Sequence, residues 1–381
     1  MTSPMIRTLE IIPVDSPALL ERFIRVPMRL MENDPSYVAP LMFERREALS
    51  AKHNPFFQHA DVQFWLARKD GRDVGRISAQ IDHLARTDPE APAGFFGMIA
   101  AEDDPDIFSA LFETAESWLR ARGRKQVLGP FNLSINEEIG LLVEGFDTPP
   151  MLMMPHDPRY AGARIEALGY TKAKDVFAYI SDIPVFTKGV QARLGRPLPA
   201  GMVLRPVNMK KFDDEVNSLV EILNDAWSEN WGAAPVTEAE TRHLAESIRL
   251  ILHPRLIWFV EIDGEAAAFI VLLPNLNDAI YDLKGKLFPF GWAKLLWRLK
   301  VKGVKRGRVP LMGVKKKFAR DPRGLLAPFA LVDAIRREGV KIGIVGGEYS
   351  WILEDNRSMR HILEDFGARA YKTYRIYGKA L

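Results

Sequence analysis

Two stretches of this 381-residue chain bring chemically useful side chains together. One is Lys315-Lys316-Lys317-Phe-Ala-Arg320-Asp-Pro-Arg323-Gly324, which leads into a helix-patterned apolar segment. Backbone N–H groups and the helix dipole favour negative charge at a helix start, so cations gathered there suit an anion such as a phosphate. The same residues also fit a basic turn that merely caps a surface helix. The other stretch is Gly346-Gly-Glu348-Tyr-Ser-Trp351-Ile-Leu-Glu-Asp-Asn356. It offers a carboxylate for proton transfer, an indole to line a substrate, and an asparagine placed to cap a helix. Cysteine is absent, which excludes disulfides, thiolate metal sites and cysteine nucleophiles. The seven histidines show no metal-ligand spacing, and no Ser-His-Asp arrangement stands out, so no metal site is expected.

The elements that must hold these residues show in an internal repeat. Trp65-Leu-Ala-Arg-Lys-Asp70-Gly71 matches Trp258-Phe-Val-Glu-Ile-Asp263-Gly264, each followed by an apolar run, and both read as hairpins turning at Asp-Gly. Ile165-Glu166-Ala-Leu-Gly169 and on to Tyr179 matches Leu363-Glu364-Asp-Phe-Gly367 and on to Tyr377, a helix stopped by glycine before an aromatic strand. The spacing predicts a tandem duplication, with domains over 1–184 and 202–381 and a Pro- and Gly-rich linker over 185–201. In the second copy it predicts strands 202–207, 256–262, 266–273, 309–316, 342–349 and 368–377. Helices are predicted over 210–251, 325–338 and 357–366. This order implies an α/β fold, each copy a mixed, mostly antiparallel sheet flanked by helices.

Charge separates the halves. Up to Pro184 there are 20 basic and 27 acidic residues; beyond it there are 32 and 22. An anion partner is therefore expected in the second half. The first residues do not read as a secretion signal and none is expected, and no apolar run is long enough to span a bilayer. The basic run carries no nucleic-acid reading motif, so no nucleic-acid partner is expected.

The element order, and the ending Gly367-Ala-Arg-Ala-Tyr-Lys-Thr-Tyr374-Arg-Ile-Tyr377-Gly-Lys after an Asn356-initiated helix, resemble the GNAT superfamily of N-acetyltransferases over essentially the whole chain. The resemblance implies acyl-CoA as co-substrate, with no permanently bound cofactor. Its diphosphate would lie on the turn before the 325–338 helix, held by Lys315, Lys317, Arg320, Arg323 and Gly324. The equivalent turn of the first copy, Ile99-Ala-Ala-Glu102-Asp103-Asp104-Pro-Asp106, carries four carboxylates and should hold no CoA. The family's small-residue pattern is not kept, since Leu326 and Pro328 fall where Gly or Ala is usual. Pro328 is read as lying in the first helical turn. In such enzymes an amine attacks the thioester directly. Glu348, at the end of the fifth strand, is then the candidate general base, Tyr374 and Tyr377 candidate proton donors to the thiolate, and Asn356 either a cap or a partner of the pantetheine amide. Asn132 and Asn136 of the first copy would take the acceptor head group.

Between hairpin and cofactor strand, over 276–308, lies an insertion that a minimal copy does not need. Phe288, Trp292, Leu295, Leu296 and Leu299 fall on one helical face, with Lys294, Arg298, Lys302 and Lys305 opposite. No acidic residue occurs between Lys284 and Arg320. Such a helix suits a membrane interface or the mouth for a long acyl chain at Trp292 and Trp297; it also fits a helix packed on its own core.

The Gly129-Pro-Phe-Asn132 and Gly140-Leu-Leu-Val-Glu-Gly-Phe-Asp-Thr-Pro-Pro150 runs, the Glu348–Asn356 run and Tyr374-Arg-Ile-Tyr377 resemble the bacterial ceramide synthases. That implies acylation of a sphingoid base by long-chain acyl-CoA, in a cytoplasmic protein peripheral to the inner membrane. Transfer to a small soluble amine, or a non-catalytic module that binds acyl-CoA or membranes, are the alternative readings.

Overall fold

The computed structural model describes residues 9–182, 188–247 and 252–381. Residues 185–187 of the expected linker, 183 and 184 just before it, and 248–251 of the expected helical stretch lie outside them. The first repeat runs β1 (Leu9–Pro13), α1 (Pro17–Leu30), α2 (Met42–Ala48), β2 (Ala60–Lys69), β3 (Arg72–Asp82), β4 (Ala93–Ala101), α3 (Pro105–Arg120) and β5 (Gln126–Gly129). Short strands β6 (Phe131–Asn132), β7 (Glu138–Ile139) and β8 (Leu141–Glu144) then precede α4 (Ala161–Ala167) and β9 (Thr171–Asp182). After α5 (Lys188–Leu194) the second repeat runs β10 (Met202–Pro206), α6 (Phe212–Trp227), α7 (Glu238–Ser247), β11 (Ile257–Ile262), β12 (Glu265–Pro274), α8 (Asn277–Ile280) and α9 (Gly291–Trp297). It ends with β13 (Arg306–Val314), α10 (Pro322–Lys341), β14 (Gly346–Leu353), α11 (Arg357–Asp365) and β15 (Arg369–Ala380).

Both expected hairpins form. Asp70 and Gly71 have φ of 52° and 78°, and Asp263 and Gly264 have 52° and 84°. Positive φ at both central residues is the two-residue turn whose twist matches the strands it joins, and Asp-Gly adopts it at little steric cost.

The compact units do not follow the sequence repeat. One comprises the chain up to Asp175 with Asp282–Lys286 and Tyr374–Leu381; the other comprises Val176–Tyr281 and Leu287–Thr373. In unit 1, β1 to β4 form an antiparallel ladder and β5 joins β4 in parallel. The edge beyond β5 is closed by the end of β15, from Tyr377 opposite Gly129 to Ala380 opposite Gln126. Unit 2 repeats the pattern with β10 to β13 antiparallel and β14 parallel to β13. Its last strand comes from β9, with Val176 opposite Leu353 and Asp182 opposite Gly346. Each repeat's sequence thus supplies the other unit's closing strand. The two strands play equivalent parts: Tyr179 and Tyr377 occupy the same place and donate to equivalent carboxylates, Glu364 (3.3 Å) and Glu166 (3.1 Å).

Apolar faces of the helices cover each sheet. In unit 1, Ile107, Phe108, Leu111 and Phe112 of α3 pack on one side, and Phe23, Ile24 and Val26 of α1 on the other. In unit 2, α10 and α11 bury Leu331, Val332, Leu363 and Phe366 against the sheet. No helix among the described residues is long and apolar enough to cross a membrane.

Three expectations change. Helix α10 starts at Pro322, capped by the Asp321 carboxylate on Arg323 N, so Pro328 is an interior residue rather than one of the first turn. It forgoes the rung to the Gly324 carbonyl. Because α10 continues to Lys341 and the chain turns at Gly343 (φ 88°), β14 starts at Gly346, and Glu348 lies inside the strand rather than at its end. The insertion forms a short helix and a π-helical turn over Arg298–Lys302 rather than one amphipathic rod. There Arg298, expected on the wet face, is buried and donates to the Ala279 carbonyl at 2.7 Å.

Candidate active site

The parallel ladder between β13 and β14 runs only from Arg306 opposite Gly346 to Val309 opposite Tyr349. Past that point each strand follows its outer neighbour, β13 with β12 as far as Val314 and β14 with β9 as far as Leu353. The strands fork. Four side chains meet where the ladder runs out. Glu348 is completely buried and Arg308 nearly so, at 0% and 1% exposure. Arg308 Nε stands 3.6 Å from Glu348 Oε1, and Ser350 bridges them: its hydroxyl accepts from Arg308 Nε at 2.8 Å and donates to Oε1 at 2.6 Å. The Tyr371 hydroxyl donates to Oε2. Burial, and then the carboxylate itself, raise the Tyr371 pKa well above the ordinary phenol value, so this hydroxyl keeps its proton. Trp351 lies under the Arg308 guanidinium at 4.4 Å, and its Nε1 is buried with no hydrogen-bond partner among the described residues.

Unit 1 provides an internal control. Its parallel ladder pairs Ala93 with Gln126, Gly94 with Val127 and Phe95 with Leu128, which places Phe95 and Leu128 where unit 2 has Arg308 and Glu348. The fold therefore accepts an apolar pair at this position. A buried ion pair there carries a desolvation cost of several kcal/mol per ion that packing does not require. The first fork is also filled. The Phe131 carbonyl lies where a Cβ on Gly97 would come within 1.8 Å, and Asn132 Oδ1 accepts from Met98 N at 2.8 Å. Gln80 Nε2 secures the same segment by donating to the Phe131 carbonyl at 2.6 Å. Strand β4 thus spends on β6 the backbone groups that a ligand in the fork would need.

The charged turns differ less than their sequences suggest. In unit 2, Lys315 bridges Glu221 (2.6 Å) and Glu265 (2.9 Å), and Lys317 also pairs with Glu265. Lys316 reaches Glu229 at 2.6 Å, and Arg323 sits between Asp321 and Asp263 at 2.8 Å each. Only Arg320 of this group is exposed and outside any ion pair among the described residues. Gly324 is needed for space, since a Cβ would fall 1.9 Å from the Phe318 carbonyl. In unit 1 the carboxylates are compensated too: Glu102 by Arg29 and Arg72, Asp103 by Arg164, Asp104 by Lys69. A linear sequence shows charge but hides these cross-strand partners. The forks separate the two units more sharply than the turns do.

The structure gathers Glu348 and Trp351 at the fork but not the two expected tyrosines. Tyr374 and Tyr377 belong to unit 1, and the Tyr377 hydroxyl is held by Glu166. Tyr371 reaches Glu348 instead, and Arg308 and Ser350 complete the group. The signal that could have found Tyr371 is strand alternation, which sets it on the face of Thr373 and opposite that of Tyr374. Asn356 caps α11, its Oδ1 accepting from Met359 N at 3.1 Å. Asn132 also donates to Glu138 at 3.1 Å, and the Asn136 backbone N–H donates to the Ser134 hydroxyl. Trp292 and Trp297 are exposed, at 48% and 54%, as are Phe288 (83%), Phe290 (79%) and Val301 (71%).

No family model matches the chain. Among solved structures, it resembles a tandem GNAT protein from the clavulanic acid biosynthesis pathway over 98% of both chains, at 15% identity and a TM-score of 0.59. A GNAT-family N-acetyltransferase from Sphaerobacter thermophilus matches over 98% of this chain and 95% of its own, at 13% identity and a TM-score of 0.53. Two forked sheets of this order, one after the other, define a tandem GNAT-fold protein. In sequence, the chain is 59% identical over 378 residues to the bacterial ceramide synthase of Caulobacter vibrioides, covering 98% of each. It is 45% identical over 363 residues to Protein YghO of Escherichia coli, covering 95% of this chain and 93% of that protein. The chain belongs to the family of these two proteins, that of the bacterial ceramide synthase.

Proposed function

We propose that this protein is an N-acyltransferase that moves a long-chain acyl group from acyl-CoA to the amine of a sphingoid base. The observation that carries the proposal is the buried Arg308–Ser350–Glu348–Tyr371 group where β13 and β14 part, set against the Phe95–Leu128 pair at the filled fork. Family membership supports the acceptor class. In the step proposed, the amine nitrogen forms a bond to the thioester carbonyl carbon, the C–S bond breaks, and the thiolate leaves and takes up a proton. The ammonium proton must go elsewhere, and Glu348, sealed from solvent, receives it through a hydroxyl. Tyr371, half-buried, is the hydroxyl that reaches outward: it passes its proton to Glu348 as it takes one from the amine. Trp351 Nε1 is a donor available to the developing oxyanion. Acyl-CoA enters along the second fork, with Arg320 and the start of α10 nearest in kind to a diphosphate site. Lys315, Lys317, Arg323 and Gly324 shape that turn, and Asn356 caps α11.

The direct test incubates the full-length protein with acyl-CoAs of several lengths and a sphingoid base, following free thiol and N-acyl product together. Product with the long-chain amine is expected, and thiol release without N-acyl product would sink the reading. Replacing Tyr371 with Phe should lower kcat about 100-fold or more while KM for acyl-CoA stays within about threefold, because the relay hydroxyl that connects Glu348 to the amine is lost. A second reading, a non-transferring module that binds acyl-CoA, draws on the ion pairs that already occupy the basic turn. It predicts acyl-CoA binding with no turnover on any amine.

The insertion is the proposed membrane contact. Its exposed Phe288, Phe290, Trp292, Leu296, Trp297 and Val301 stand among Lys294, Lys300, Lys302 and Lys305, a composition that suits anionic headgroups over acyl chains. Replacing Trp292 and Trp297 together with Ala should weaken binding to vesicles containing anionic lipid at least about tenfold, since each buried aromatic is worth roughly 1.5–3 kcal/mol. Binding of the double variant equal to wild type in a sedimentation assay would remove the insertion from this role.

A further inference from the structure

A second polar cluster lies in unit 1, where its Glu138 accepts from Asn132, a residue that fills the first fork. Arg76 on β3 holds the register position that Phe269 fills in unit 2, each six residues past the Asp of its hairpin turn. Phe269 is completely buried, so the fold at this position asks for an apolar side chain. Arg76 instead lays its guanidinium over the Phe23 ring at 4.8 Å and donates from Nη1 to the Phe23 carbonyl at 3.0 Å. Its Nε is buried with no hydrogen-bond partner among the described residues, and burial lowers its pKa to about 10. A guanidinium held this way, with a donor unspent, is costly unless an oxygen comes to it.

Four further groups act on Arg76 electrostatically: Tyr37, Glu138, Asp157 and, in the opposite sense, Arg45. Tyr37, in the segment between α1 and α2, has its hydroxyl pushed up to about 12 by burial. Asp157, in the loop before α4, accepts from Leu142 N at 3.0 Å through Oδ2. Burial, with a smaller push from neighbouring Glu138, raises its carboxyl to about 7, so near neutrality it readily gains or loses a proton. Glu138 itself is oriented by Arg45 at 3.2 Å and by Asn132. Tyr37, Arg76, Glu138 and Asp157 are all half-buried, each keeping some accessible surface, unlike the sealed pair at the second fork.

Their charges select the chemistry of a ligand. A purely anionic head would face Glu138 and Asp157, and a purely cationic one would face Arg45 and Arg76. A compact head with an ammonium and an oxygen a few bonds apart satisfies both sides. We infer that this cluster binds the head of an amino-alcohol or amino-ketone amphiphile, its ammonium against Asp157 and Glu138 and its oxygen against Arg76 Nε and the Tyr37 hydroxyl. The inference rests on the acyl-transfer reading only for the identity of that head with the acceptor class, and it makes the cluster a docking site in unit 1, separate from the place where Tyr371 takes the amine's proton. Asn132, expected to touch the head group, acts here by positioning Glu138.

Equilibrium binding of the full-length protein separates the possibilities. The probes are a short-chain 2-amino-1,3-diol amphiphile and an alkylamine of equal chain length, measured calorimetrically without acyl-CoA. Wild type should bind the amino-diol about tenfold or more tighter, the scale of hydrogen bonds to charged groups. Arg76→Phe, which copies unit 2, should abolish that preference, and Tyr37→Phe should reduce it. Tyr37→Phe removes a single hydroxyl and carries the test if the arginine variant fails to fold. Equal binding of both probes by wild type, or a preference that survives these substitutions, overturns the inference. Turnover of the same amines with acyl-CoA is read separately. Preference without turnover sinks the acyl-transfer reading and leaves this one standing; turnover with no preference does the reverse.

Discussion

Replacing Arg308 with Phe and Glu348 with Leu together should leave the protein at least as stable as wild type while abolishing acyl transfer. The double variant copies what unit 1 already carries at the same place, Phe95 and Leu128. Exchanging a buried ion pair for packed apolar residues is commonly neutral or stabilising by roughly 1–4 kcal/mol, because two desolvation costs disappear with one attraction. Each single replacement behaves differently. Glu348→Leu alone strands the Arg308 guanidinium at 1% exposure, and Arg308→Phe alone strands the carboxylate; each should cost about 3–5 kcal/mol. Activity should fall about 100-fold or more in all three, the usual worth of a general base. Denaturant unfolding with N-acyl product formation reads both quantities on one preparation. A stable double variant that transfers within tenfold of wild type would show that the pair is structural, and the proton route through Tyr371 would go with it.

Changing Gly97 to Ala is expected to be among the most damaging single substitutions in unit 1. The added Cβ would lie 1.8 Å from the Phe131 carbonyl oxygen and 2.7 Å from its carbon, both backbone atoms that cannot turn aside. To make room, the β6 segment must leave β4, breaking the Asn132 bond to Met98 N and the Gln80 bond to Phe131. A loss of about 3 kcal/mol follows, the upper end for overpacking because polar groups lose partners as well. Gly189→Ala is the control: no atom lies within 4 Å of its added Cβ and it sits in helix α5, so stability should hold or rise by about 0.5–1 kcal/mol. If both variants melted like wild type, the filling of the first fork by β6 would be wrong.

The order of elements was legible along the chain because it is written in local terms. Asp-Gly pairs need positive φ, helices stop at Gly169 and Gly367, and apolar periods of two and near four set strand from helix. Glu348 could be singled out because a lone carboxylate amid apolar strand residues is conspicuous at that range. Local reading failed where partners come from far away. It saw cations before α10 and carboxylates before α3, but not that Glu221, Glu265 and Asp263 neutralise the first, or that Arg29, Arg72, Arg164 and Lys69 neutralise the second.

Sequence alone therefore determined the duplication, the hairpins and the absence of cysteine chemistry, all properties of neighbours in the chain. Tertiary structure decided which copy of the closing strand completes which unit, and so placed Tyr371 rather than Tyr374 or Tyr377 beside Glu348. It also decided that one fork is filled by Phe131 and Asn132 while the other ends in a buried ion pair. Each repeat ends in the same helix, glycine and aromatic strand, so only pairing across hundreds of residues fixes which strand closes which sheet.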